Sequence, residues 1–259
     1  MSAIPAGVSG PLLAADRGPR FAAWVGRPDA APWASAADLF GSGLAAAVAA
    51  VGEARGAANP AVAGALLFEG YAMRLIPPVL AAALTEARAP DPGLDAVRVE
   101  WADARVGQVA LDGSCGAASE VVPALMERNL AVALDAVHRA AGTGLRVLRG
   151  AAAHAVTVTA LHLSWPDEQP ARYLGPAREV LDRWGVGELV RMAAVPVAGE
   201  RWLYAERRSC CLAFRTADHR RAASFCATCP VTPEAERRGS FHDAVGAFID
   251  RTGRARRGH

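Results

Sequence analysis

The sequence contains no lysine; all 28 basic side chains are arginine. Aromatic residues make up only 6% of its 259 positions, and charged residues only 21%. The 28 arginines face 26 carboxylates, leaving a formal charge of +2. That near balance excludes a general nucleic-acid binder, which would carry a marked basic excess. Long apolar runs are also missing. The longest, Ala61–Phe68 and Leu75–Leu84, fall short of the roughly 20 residues that span a bilayer. No transmembrane segment is therefore expected. The opening residues MSAIPAGVSGPLLAADRGPR lack a basic n-region and an adequate apolar stretch, so they do not read as a signal peptide. A soluble, cytoplasmic protein is the expectation. Nucleotide fingerprints of the Gly-x-Gly-x-x-Gly or P-loop type do not occur, nor does His-Glu-x-x-His or a Ser-His-Asp arrangement. No internal NAD, FAD or ATP site is indicated.

What remains is a chain with 52% hydrophobic residues, too apolar to be disordered. Its length suits one large domain, or one domain with a small appendage. Residues 1–30 are rich in Gly, Pro and Ala without periodicity, and read as an irregular arm. A helical pattern runs from Ser35 to Gly52 or Gly56. Asn59-Pro60 opens another, which Pro77-Pro78 should stop or kink. Val97, Val99 and Trp101 alternate with Arg98 and Glu100, predicting a half-buried strand; Val106–Leu111 is its hairpin partner. Helices are predicted over about 120–141, 146–163 and 175–184. Two short strands follow at 195–197 and 202–206, and Pro233 opens a last helix. The predicted fold is mostly α with a small β element (α+β), closed by a cysteine-rich C-terminal appendage. The predicted segments are an arm over 1–30, a helical body over 31–200, a cysteine segment and helix over 201–250, and a basic tail over 251–259.

Charge and cysteine concentrate at the same end. Residues 1–200 carry 16 Arg against 20 Asp and Glu, a sum of −4, while 201–259 carry 12 against 6, a sum of +6. Four of the five cysteines lie there, as Cys210-Cys211, then 14 residues, then Cys226-Ala-Thr-Cys229. In a reducing compartment such clusters serve as metal ligands or redox groups rather than structural disulfides. Soft thiolates select zinc or iron–sulfur clusters. A Cys-x-x-Cys turn aims two sulfurs at one metal, but adjacent cysteines diverge in extended backbone. A cluster spreads its ligands over two irons and tolerates this better, so [2Fe–2S] ranks above a structural four-cysteine zinc site, which stays open. A thioredoxin-like dithiol lacks a βαβ setting, a vicinal disulfide is a rare alternative, and Rieske ligation lacks its histidine pairings.

The run Arg-Arg-Ser-Cys-Cys, followed after a short loop by Cys-x-x-Cys near the end of a helical chain of this length, resembles the FhuF family of ferric-siderophore reductases. The amphipathic stretch from Glu69 to Leu84 and the helices around 120–163 are similar in layout, more diffusely. The resemblance implies that Cys210, Cys211, Cys226 and Cys229 ligate one [2Fe–2S] cluster. It implies a ferric reductase that passes one electron to Fe(III) held by a siderophore, freeing Fe(II) in the cytoplasm. The electron comes from an external donor, such as a ferredoxin, a flavodoxin or a reductase. Peripheral contact with the inner face of the membrane is implied on the same ground. Two non-reductase readings remain: an iron–sulfur sensor or carrier, and a zinc-bearing module. The family loop is usually about ten residues, and lengthening it to 14 costs a few tenths of a kcal/mol by logarithmic loop closure.

Arg207, Arg208, Arg215, Arg220 and Arg221 surround these cysteines. Their charge would raise the potential of an anionic cluster and attract an anionic donor or chelate; singly, each reads as a solvated surface residue. His219 in the loop reads as an exposed histidine rather than a ligand. Cys115 reads as a small buried or loop cysteine. His138, His154 and His162 read as core or boundary residues, with lining of a chelate pocket as the alternative, and Trp202 and Tyr204 as packing rather than as a cluster shield or siderophore stack.

Overall fold

The computed structural model describes residues 8–11, 18–28, 32–86, 88–166, 169, 171–222 and 225–253. The predicted tail beyond 253 and parts of the predicted arm lie outside the described residues. In chain order, β1 (Val8–Pro11), β2 (Trp24–Gly26) and β3 (Trp33–Ser35) lead into α1 (Ala36–Phe40), α2 (Leu44–Arg55) and α3 (Pro60–Thr85). Then come β4 (Arg88–Pro90), β5 (Val97–Ala102), β6 (Arg105–Leu111) and β7 (Cys115–Ala117). A helical run follows: α4 (Ala118–Ala124), a π-helical turn over Leu125–Leu130, and α5 (Ala131–Ala141). The rest comprises α6 (Leu145–Ser164), α7 (Leu174–Arg183), β8 (Val190–Val197), β9 (Glu200–Arg207), α8 (Ala217–Ala222) and α9 (Glu234–Thr252). This is an α+β fold dominated by helix, as expected.

Caps explain several starts. The Ser35 hydroxyl accepts from the Ala37 N–H at 3.1 Å, and the Asn59 side chain accepts from Val62 N–H at 3.1 Å with Pro60 in the first turn. The single helix expected over 35–56 is two, because Gly41-Ser42-Gly43 lets the backbone leave helical geometry (φ −101°, ψ −113° at Gly41). The reverse holds at Pro77-Pro78. These prolines deprive the carbonyls of Met73 and Arg74 of their N–H partners, yet α3 runs through them as one helix. Both prolines are buried in the core, so packing outweighs the local penalty. By length and composition α3 would suffice to cross a membrane, but 72% of that stretch is buried inside the fold, where it serves as the central core helix.

The predicted hairpin of β5 and β6 is present, closed by Asp103 and Ala104 with φ of 51° and 54°. Its sheet has the order β1-β2-β6-β5-β3, with β2 parallel to β6 and the other pairs antiparallel. The stretch expected to be irregular thus supplies β1 and β2. The signal was missed because these strands are three or four residues long and interrupted by glycine and proline. Val97, Val99, Val109 and Leu111 turn one face of the hairpin into the core, where α3 packs most extensively on α6. β8 and β9 form a separate antiparallel hairpin, paired from Val190–Arg207 to Val197–Glu200 and longer than predicted. β9 lies on α6. Trp202 and Tyr204 pack, as expected, in a second small core with Phe241 and Val245 of α9.

Candidate functional site

The site is built where β9 ends on α6. Arg207 is the last residue of the strand, and its backbone N–H donates to the Thr228 carbonyl at 3.2 Å. That bond brings the Cys-x-x-Cys turn to the root of the vicinal pair. The turn is closed by Cys229 N–H donating to the Cys226 carbonyl at 2.9 Å. On the other side, Leu212 takes up φ 65°, and its N–H donates to Cys210 Sγ at 3.3 Å. This bend separates the adjacent thiols from an extended path. The site also needs close approach to α6. A Cβ at Gly150 would lie 1.7 Å from Ser209 Oγ, so only glycine lets the strand end sit on the helix. The loop is pinned further on, where the Ala217 N–H donates to the Gly56 carbonyl at 3.0 Å. Gly56 there has φ +56°, and a Cβ would meet Ala217 Cβ at 2.7 Å.

Arg207 departs from its expectation as a solvated residue. Its side chain is 1% exposed, because the backbone pairing of β9 carries it inward. Its Nη1 donates to Glu69 of α3 and its Nε to the Ser209 carbonyl at 3.2 Å, while Nη2 has no partner among the described residues. Burial opposes the charge, but Glu69 and the thiols of Cys211 and Cys226 outweigh it and hold its pKa above the ordinary value. Glu69 also faces His154 Nδ1 at 3.8 Å, and His154 Nε2 is 2.9 Å from Thr228 Oγ1. His154 is therefore the floor of the Cys-x-x-Cys turn. Burial first, and then Arg207 and Arg20, depress its pKa to about 3, so it is neutral at physiological pH. His154 is buried, as its reading as a core or boundary residue expected, whereas the roles of Glu69 and Thr228 escaped sequence reasoning. The one available signal was a carboxylate, Glu69, in an otherwise apolar stretch of α3.

The thiols are electrostatically distinct. The hydrogen bond from Cys211 lowers Cys210 to about 6, helped against burial by the Leu212 N–H and Arg207. Cys211 is pushed up by donating that bond and by burial. Burial also raises Cys226, and Cys229 adds to that. Cys229 is buried, Cys210 and Cys211 half-buried, and Cys226 exposed. Neighbour relations thus run from Cys210 to Cys211, across Arg207 to Cys226, and on to Cys229. Among the described residues, no three Cys, His, Asp or Glu side chains converge on a single-ion site.

A second network fixes the turn from outside. Glu206 accepts from the Tyr204 hydroxyl at 2.6 Å and from Arg237 Nη2 and Nε at 3.2 and 3.3 Å. Arg237 also donates to the Cys229 carbonyl at 3.3 Å and to the Thr232 carbonyl. α9 is thereby tied to both the hairpin and the cysteine turn. The remaining arginines are exposed, as expected. Arg208 lies beside a groove shared with Arg178 and Arg191, and Arg215 sits over the Phe214 ring at 5.5 Å. Arg220 donates to the Arg215 carbonyl at 3.3 Å, and Arg221 pairs with Asp218. His219 is not exposed as expected but half-buried, because its ring packs against Phe225 with centroids 5.2 Å apart. Cys115 lies apart on β7 and is exposed, not buried as one of its two expected settings had it. His138 bonds the Thr143 carbonyl at 2.8 Å and has no part in the site. A scan against family models and a search of curated proteins return no match to this chain.

Proposed function

We propose that this chain is a ferric-siderophore reductase. In this reading Cys210, Cys211, Cys226 and Cys229 hold a [2Fe–2S] cluster, and siderophore-bound Fe(III) is the substrate. One observation carries the reading: two cysteine pairs flank a buried guanidinium whose Nη2 has no hydrogen-bond partner among the described residues. A buried donor left unsatisfied costs free energy, and an anion seated among the thiols would satisfy it. Ser209 Oγ, also buried and without a partner among the described residues, is a further donor beside Cys210 in the chain. The donor set is four soft sulfurs, which suits iron–sulfur or zinc and not a hard cation.

When bound, such a cluster supplies a one-electron couple. The chain's own residues do the rest. Arg207 favours the more negative, reduced state and so raises the potential. α3 and α6 close the inner side through Glu69, Gly150 and His154, while Cys226 lies at the open edge that a chelate can approach. No side chain needs to move a proton. Siderophores hold Fe(III) through hard oxygen ligands and Fe(II) far less tightly, so reduction releases the metal.

Anaerobic purification with iron and sulfide analysis, visible spectra and EPR tests the reading. Two irons and two sulfides per chain, and re-oxidation of the reduced protein by ferric siderophores in stopped flow, are expected. A colourless protein with one zinc per chain overturns it. A cluster that no ferric chelate oxidises would instead leave a sensor or carrier. Cys226→Ser or Cys229→Ser should remove the spectrum and leave the helical circular dichroism mostly intact.

A further inference from the structure

Five large apolar side chains are exposed among the described residues, and three of them flank the cysteine turns: Phe214 (37%), Phe225 (48%) and Val231 (52%). Single exposed apolar residues are ordinary, but aromatic rings clustered with arginine are the composition of an interface. Here the two are joined. Arg215 lies over the Phe214 ring, Arg220 reaches the Arg215 carbonyl, and the Phe225 ring packs tilted against His219, the residue before Arg220. α8 thus bears the charges, with a ring on either side.

The charge of this face is strongly one-sided. With Arg207 buried against Glu69, residues 208–229 carry four arginines, one aspartate and no glutamate, a sum of +3. The single carboxylate, Asp218, is already shared by Arg221 and by Arg55 of α2 at 3.2 Å. Among the described residues, Arg215 and Arg220 have no carboxylate partner. Such charges steer encounter with a partner of opposite sign, and the rings supply the apolar anchors.

We infer that this face is the docking surface for an acidic one-electron carrier protein. The inference rests on the redox reading above and names the partner of that same site. Exposed Cys226 directly follows Phe225, so a carrier seated here abuts the thiol edge. A lipid surface on the same rings would cover that edge and exclude both carrier and chelate, which favours a protein. The step is a single electron transfer: the carrier is oxidised, the protein's centre is reduced, and no bond or proton is exchanged.

The test uses the full chain and an acidic plant-type [2Fe–2S] ferredoxin. Binding is followed by calorimetry at low and at physiological salt. Anionic phosphatidylglycerol vesicles form a parallel arm. Affinity for ferredoxin should fall steeply with salt, by about tenfold in the Arg220→Glu/Arg221→Glu variant, and several-fold in Phe225→Ser. Val132→Ser, at an exposed apolar site on the body, should bind as the parent does. Dithionite-reduced Phe225→Ser should still react with ferric chelates at the parental rate, because that step bypasses the carrier. Loss of chelate reduction in the parent itself counts against the redox reading, whereas intact reduction with ferredoxin affinity unchanged by charge reversal overturns the docking surface. Vesicle binding that needs Phe225 and Arg220, without ferredoxin binding, overturns it in favour of a membrane.

Discussion

Where α3 meets α6, the contact is largely made of Ala, Val, Leu, Ile and Phe, nearly all without solvent exposure, with Glu69 facing His154 at the end beside the cysteine turns. Where β9, the cysteine turns and α9 meet, four buried apolar residues are joined by Glu206, Arg207, Arg237 and a set of charge-assisted hydrogen bonds. Apolar packing is non-directional and tolerates slippage, whereas the polar network fixes angles. The difference teaches where each is wanted. The body needs only to be a firm platform. In the proposed reading the lobe holds four thiols in one arrangement while leaving one edge open.

The contrast is broken first by removing its apolar side. Phe68 on α3 is fully buried, and Phe68→Ala should cost about 4 kcal/mol in urea unfolding. A cost below about 1 kcal/mol would show that the body is loosely packed there. The polar side is tested at Arg207. In Arg207→Met, Glu69 remains mostly buried without its cation, and a loss of about 3 kcal/mol is expected under chelating, reducing conditions. Adding Glu69→Leu should restore more than half, because an apolar pair can replace a buried ion pair. If the single change is neutral, the lobe rests on apolar contacts after all.

The two regions also differed in how far the sequence revealed them. The body was legible because amphipathic periods and caps such as Asn59-Pro60 act locally. It failed where tertiary packing overrides local rules: at Pro77-Pro78, which do not stop α3, and at β1 and β2, too short to show a period. In the lobe, residue type alone singled out the thiols. Arg207 as a buried residue was illegible, because its burial depends on pairing with β8 and on Gly150, 57 positions earlier. Glu69, 138 positions before Arg207, is its partner only in three dimensions.

Acid separates the regions more gently. His154 has a pKa of about 3 in the fold, against roughly 6.5 when unfolded. A depressed histidine binds fewer protons in the native state, so its contribution is present above the unfolded pKa and is lost as pH falls from about 6.5 toward about 3. At pH near 5 the loss should reach about 2 kcal/mol. His154→Gln, which can still bond Thr228, should flatten that part of the stability profile. An equally steep profile in the variant would place the acid sensitivity elsewhere.

The smallest effect expected is the most diagnostic of independence between the regions. Arg237 is mostly buried and links Glu206 to the carbonyls of Cys229 and Thr232. Arg237→Ala leaves Glu206 with Tyr204 and Arg191, so its charge is not stranded. The loss should therefore be limited to about 1.5 kcal/mol. Its location matters more than its size. Hydrogen exchange should quicken in α9 and around residues 226–232, while α3 and α6 keep their protection, because their apolar contact does not pass through this arginine. Equal loss of protection in α3 would mean that lobe and body open as one cooperative unit, and that the platform is itself held shut by the polar network it supports.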